Sequence, residues 1–219
     1  MRQNISLAEI SDGHLYKAND MVKADCGGCE GCSQCCRGMG SSIILDPYDV
    51  YRLTTGIGKS MQELLATSVE LNVVDGVILP NLKMQGTREA CAYLDAAGRC
   101  SIHPYRPGIC RLFPLGRHYE NGGLFYFLQT GECVKENRSK VKVSKWIDTP
   151  ELKRNEQFKL QWHDLLSAMT DRVAGEDEGK QREENLLLLR LFYLLPYEGT
   201  TDFYSQFTER MEHWNEQIG

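Results

Sequence analysis

Five cysteines fall within eleven residues, Cys26, Cys29, Cys32, Cys35 and Cys36, in the text C-G-G-C-E-G-C-S-Q-C-C. A C-x-x-C turn brings two sulfurs to one metal, because the backbone curls and aims its amide groups at the thiolates. Three sulfurs in C-x-x-C-x-x-C wrap one site, and bacterial ferredoxins use that run for a [4Fe–4S] cluster. Zinc usually takes two sulfurs from each of two such knuckles. The run here is longer than one knuckle needs, and Gly27, Gly28 and Gly31 suit a tight loop that approaches a ligand closely. Inert buried cysteines are a poor account of it, since Glu30, Ser33 and Gln34 sit among them. Cys35 and Cys36 are adjacent. In extended backbone such neighbours point to opposite sides, so the pair is expected to serve two sites or to leave one thiol non-ligating.

Four more cysteines are spread out, Cys91, Cys100, Cys110 and Cys133, and none follows. The chain thus divides into a cysteine-bearing part, 1–134, and a cysteine-free part, 135–219. The total of nine is odd, and Met1-Arg2-Gln3-Asn4 opens no apolar signal-peptide core. Disulfides are rare in the cytosol. The cysteines therefore read as metal ligands or redox groups, and a cytoplasmic location is expected.

The spacing is specific enough for a comparison. Cys29-x-x-Cys32-x-x-Cys35-Cys36 is followed by Cys91-Ala-Tyr-Leu-Asp, by Cys100-Ser-Ile-His-Pro-Tyr-Arg-Pro-Gly-Ile-Cys110-Arg-Leu-Phe-Pro, and by Cys133. Over about residues 26–133 this resembles the bacterial cysteine-cluster family called YkgJ-like, described as zinc- or iron-chelating. The resemblance implies eight metal-binding cysteines: Cys29, Cys32, Cys35, Cys36, Cys91, Cys100, Cys110 and Cys133. Two features depart from the family pattern. Cys26 is a ninth cysteine, and His103 stands where the family has tyrosine. The family also includes flagellin lysine N-methylases, which are larger, so a transferase acting on a protein substrate enters by analogy.

Between Ala96 and Tyr119 lie Arg99, Arg106, Arg111 and Arg117, with no aspartate or glutamate. Four thiolates around Zn2+ or a [4Fe–4S] core leave a net negative charge, which nearby arginines would offset while donating to sulfur. The same residues suit an anion site for a carboxylate or phosphate, or they are solvated surface. Arg106 and Arg111, flanking Cys110, are the candidate cofactor-binding pair; no catalytic residue is identifiable.

The elements that must carry these residues are legible in part. Asp46-Pro47 reads as an N-cap and first helical residue, opening a helix that ends near Gly56, and Ser60 with Glu63 as a capping box for residues 61–68. Val69–Val74 and Val77–Leu82 flank Asp75-Gly76, a hairpin signal. Cys91–Asp95 with Cys100–His103, and Leu112–Tyr119 with Leu124–Gln129, read as two further hairpins. Helices are expected from Thr149-Pro150-Glu151 to Ala174, over 180–195, and from Thr201 or Asp202 to Gln217. The basic stretch Lys135–Lys145 reads as a solvated linker or edge strand.

The expectation is an α+β protein: a hairpin-rich metal domain over 1–134 and about three helices over 135–219. The 219 residues suffice for a packed core, and the net charge of −5 indicates neither nucleic acid nor anionic membrane as a partner. No run approaches a membrane span, and no Walker loop, dinucleotide fingerprint or nucleophile elbow is present. The leading function is a metal-binding protein holding a [4Fe–4S] cluster, with Zn2+ as the alternative. A methyltransferase-like enzyme and a thiol–disulfide protein stay open, as does a protein partner. On this reading Cys32→Ser should abolish metal loading and Cys26→Ser should not, as metal analysis of the two purified variants would record.

Overall fold

The computed structural model describes residues 7–27, 32–135 and 137–218. The first elements are α1 (Leu7–Ile10), β1 (Met21–Asp25) and a 3-10 turn, Gln34–Cys36. Helix α2 (Pro47–Ile57) begins where the sequence predicts. Asp46 caps it, Asp49 closes the capping box, and Gly58 ends it in the left-handed conformation at φ 72°. Helix α3 (Met61–Thr67) carries the second box, Ser60 with Glu63.

Strands β2 (Val69–Val74) and β3 (Val77–Leu82) pair in antiparallel register from Val69↔Leu82 to Val74↔Val77. Asp75 and Gly76 both have positive φ, as a two-residue hairpin turn demands. After the short β4 (Met84–Gln85) and β5 (Ala90–Cys91), helix α4 (Gly108–Leu112) carries Cys110. Then β6 (Leu115–Glu120) and β7 (Gly123–Leu128) pair across Asn121-Gly122.

The hairpin expected over Cys91–Asp95 and Cys100–His103 forms differently. Cys91 pairs with Met84, and only Leu94 bridges Cys100. The Asp95 side chain instead accepts N–H bonds from Ala97 and Arg99, closing a turn on itself. Beyond it, Pro104 sits in a 3-10 turn, His103–Tyr105, that ends any strand.

Strand β8 (Ser139–Lys142) lies in the basic stretch and pairs antiparallel with β1. Four helices follow: α5 (Val143–Ile147), α6 (Leu152–Val173), α7 (Glu178–Leu189) and α8 (Phe203–Ile218). α7 runs directly into a π-helical turn, Arg190–Leu194. The architecture is α+β: four two-stranded antiparallel ladders with a helical C-terminal region. Among the described residues no helix is long and apolar enough to cross a membrane.

Two-stranded ladders are marginal alone, so packing must hold them. The larger apolar cluster joins Leu45, Val50 and Leu53 of the α2 region with Leu64, Val69, Val77 and Leu82, and with Phe158, Trp162, Met169, Leu188, Phe192, Phe207 and Trp214 of the C-terminal helices. Edge-to-face contacts organise it, with Phe158–Phe207 at 4.8 Å and Trp162–Phe192 at 5.1 Å between ring centres. The smaller cluster joins Val22, Ala24, Leu112, Leu115, Tyr126, Leu128, Val143 and Ile147.

Polar side chains tie these layers. Asn185 accepts the Ile78 N–H at 2.6 Å and donates to the Gly76 carbonyl, pinning the β2–β3 turn to α7. The Tyr193 hydroxyl donates to the Leu45 carbonyl at 3.1 Å. A helix end leaves carbonyls without partners, and buried Arg210 meets those after α7, donating to Leu191, Leu195 and Pro196 while its guanidinium lies 3.5 Å from the centre of the Tyr197 ring.

A second polar knot joins α2, α4 and α6. Asp49 Oδ1 accepts the Gly108 N–H at 2.7 Å, Asp49 Oδ2 accepts the Asp46 N–H, and Asp46 Oδ2 takes the buried Lys159 ammonium of α6. Gly108 keeps this approach close. A Cβ would sit 3.1 Å from Arg117 Nη2 and 3.4 Å from both Asp49 Oδ1 and Lys159 Nζ. Burial pushes the Asp49 carboxyl up to about 6, against the Gly108 N–H and the neighbouring Arg117, Arg52 and Arg111. Burial likewise pulls the Lys159 ammonium down to about 7, and the Asp46 carboxylate is its counter-charge.

Two outcomes are expected. Arg210→Ala leaves three carbonyls unpaired and should cost about 3 kcal/mol in urea unfolding. Asp49 binds a proton in the native state between its ordinary value of 3.8 and about 6, where the unfolded chain has released it. Native stability should therefore fall by about 1 kcal/mol from pH 5 to pH 6 and by a few tenths more by pH 7, a slope that Asp49→Asn removes. Urea midpoints at pH 5, 6 and 7 for both proteins measure it.

Candidate metal centre

The 3-10 turn after β1, strand β5, the loop before α4, and α4 itself each deliver cysteines to one place. Cys35, Cys36, Cys91, Cys100 and Cys110 line a single cavity of about 250 Å³. Its other walls are largely apolar, including Ile43, Leu82 and Ile102 from the larger cluster and Leu115 from the smaller, so the cavity lies at the seam between the two. Met39 and Met84 add two thioethers, and Arg106, Gln129 and Glu132 add the longer polar side chains.

Cys35 and Cys36 do not point apart. They lie in a 3-10 turn, where successive side chains are about 120° apart rather than the 180° of a strand, and both reach the cavity. The Cys36 thiol donates to Cys35, which brings Cys35 down to about 7, with Arg106 adding to the effect against burial. The same hydrogen bond, then burial and the neighbouring Cys91 and Cys110, pushes Cys36 well up. Cys91 and Cys100 are raised mainly by burial, and Cys110 is raised by burial, then by Asp49 and the neighbouring thiols. Cys35, Cys91, Cys100 and Cys110 each act electrostatically on at least one other of the five, and Cys36 acts on Cys35 through their hydrogen bond. The set is soft and thiol-rich, which suits zinc or iron–sulfur ligation rather than magnesium or calcium.

Of the other ligands that the resemblance implies, Cys32 and Cys133 are half-buried and do not line this cavity, so the metal loss expected of Cys32→Ser does not follow from it; Cys26, outside that set, does not line it either. Cys29 lies outside the described residues. Among the described residues no three His, Cys, Asp or Glu side chains already stand close enough to grip one ion. The thiols surround a space rather than a point.

The two candidate arginines separate. Arg106 lines the cavity and favours the thiolates of Cys35 and Cys100. Arg111 is buried on α4 and does not line it. Sequence reasoning passed over Arg52 of α2, which donates to the Pro104 carbonyl and so joins this region. Its position five residues past the helix start gave no signal, because the contact depends on how α2 meets the His103–Tyr105 turn.

Residues 28–133 match the family model CxxCxxCC, described as "Putative zinc- or iron-chelating domain". No curated protein and no solved structure matches the chain. The matched segment contains every cysteine that lines the cavity.

Proposed function

We propose that the protein holds a [4Fe–4S] cluster in the cysteine cavity. The observation that carries this reading is a cavity of about 250 Å³ walled by five thiols. A structural zinc ion needs only four sulfurs drawn in to about 2.3 Å around a point. A polynuclear cluster needs thiols arranged around a volume, with an apolar shell that limits water. Cys35, Cys91, Cys100 and Cys110 come from four separate segments and would supply the ligands, with Cys36 beside Cys35 as a fifth donor. When bound, a cluster supplies one-electron redox or Lewis-acid chemistry at a buried site. Arg106 would offset the thiolate charge, and the apolar residues Ile43, Leu82 and Ile102 would keep the surround dry.

The zinc reading shares the ligands and differs in stoichiometry. Anaerobically purified protein is expected to contain about four irons with matching acid-labile sulfide, and to be brown. One or two zincs in a colourless sample would overturn the cluster. Cys110→Ser and Cys91→Ser should each lose most of the bound metal, whereas Cys26→Ser should retain it; full metal content in both cavity variants would remove the site from this cavity.

A further inference from the structure

We propose that Arg52, Arg106 and Arg111 bind the oxoanion group (carboxylate or phosphate) of a small ligand beside the cysteine cavity. Arg111 is only 8% exposed, and its Nε has no hydrogen-bond partner. The Nε of Arg106 is buried and equally unpartnered. Arg52 is held at the same place from α2, its Nη2 donating to the Pro104 carbonyl and its guanidinium 6.0 Å from the centre of the Tyr48 ring. The three cations centre on Arg111. Arg52 and Arg106 both bear on Arg111, and Arg106 and Arg111 both bear on His103.

Like charges gathered in this way are costly unless something answers them. Among the described residues none of the three guanidinium groups is in an ion pair. Asp49 answers Arg52 and Arg111 through its field, but it is one carboxylate shared with Arg117 as well, and its two oxygens already accept the Gly108 and Asp46 N–H groups. Asp148 reaches Arg111 only through its field. Nor do the thiols account for the cluster. Arg106 acts on Cys35 and Cys100, whereas Arg52 and Arg111 act on none of the shifted cysteines. Arg106 is thus shared between the cavity and the cationic group, so an anion held by the arginines would be anchored next to whatever the cysteines bind. The planar guanidinium fork is the side chain best shaped to take a carboxylate or phosphate.

The location rests on the metal reading, but the binding does not, so the two are scored separately. The protein as purified is titrated by calorimetry with inorganic phosphate and, in a second arm, with acetate, at low ionic strength. Saturable binding of one equivalent is expected in at least one arm, and the arm that binds names the group. Arg111→Met and Arg52→Met should each weaken it about tenfold or more, with metal content and circular dichroism unchanged. Binding of neither anion, or binding indifferent to both substitutions (an adventitious ion only), would overturn the proposal. Should Arg111→Met fail to fold, the half-buried Arg52 decides through its own variant. Anion binding that persists in protein lacking metal would support this site while overturning the metal centre.

Discussion

The Asp49 carboxylate is a buried charge on which three parts of the molecule meet. Its own helix uses it to close a capping box, and the Gly108 N–H that it accepts is the start of the helix carrying Cys110. Through Asp46 the same knot reaches Lys159, in the middle of the longest C-terminal helix. A carboxylate taken out of water is tolerated only with such partners. Removing any one of them leaves the others uncompensated, so α2, α4 and α6 are held to one arrangement. The cysteine cavity inherits that constraint, because Cys110 lies two residues beyond Gly108 on a helix of only five residues that has little stability of its own.

The C-terminal helices are therefore part of how the cysteines are placed, although they carry none. The cysteine-bearing stretch offers short ladders and turns with limited apolar area. α6, α7 and α8 supply the other half of the larger cluster, and Asn185 and Tyr193 fix backbone groups at the β2–β3 turn and at Leu45. The cavity then forms where the two clusters fail to merge, walled by residues of both. A gap at such a seam would ordinarily cost packing energy; lined with thiols, it is instead a place for a ligand.

The parts of this arrangement visible in the sequence are those written in local chemistry. Asp46-Pro47, Ser60 and Glu63, and the Asp75-Gly76 and Asn121-Gly122 turns each specify their own geometry within four residues, and all form, while the part of Asp49 in closing the first cap emerges only from the structure. The β1–β8 ladder joins strands more than a hundred residues apart, one of them a basic stretch that reads equally as linker, so no local signal announces it. The run Cys26–Cys36 draws attention by density, yet of its described members only Cys35 and Cys36 reach the cavity. The opposite facing expected of that pair assumes extended backbone, and the 3-10 turn removes the assumption. Arg106 and Arg111 look equivalent on either side of Cys110, but Arg106 stands before α4, at the end of the His103–Tyr105 turn, whereas Arg111 lies on the helix itself. One therefore faces the thiols and the other joins Arg52, a residue 59 positions earlier whose part in the site depends entirely on packing.

The protonation of the thiols bears on how a metal would enter. Cys36, Cys91, Cys100 and Cys110 are all held toward the neutral thiol by burial or by a shared proton, and Cys35 alone is brought down toward neutral pH. Neutral thiols can share an apolar cavity without mutual repulsion, so the fold does not need a metal to offset charge there. A metal binding to them must displace those protons, since the thiolate is the ligand. Loading is then coupled to proton release, and the growing negative charge is met first by Arg106, the one guanidinium that lines the cavity. An arginine in that position costs little before the thiolates form and stabilises them once they do, which ties the soft ligand set and the cationic group behind it into one electrostatic unit.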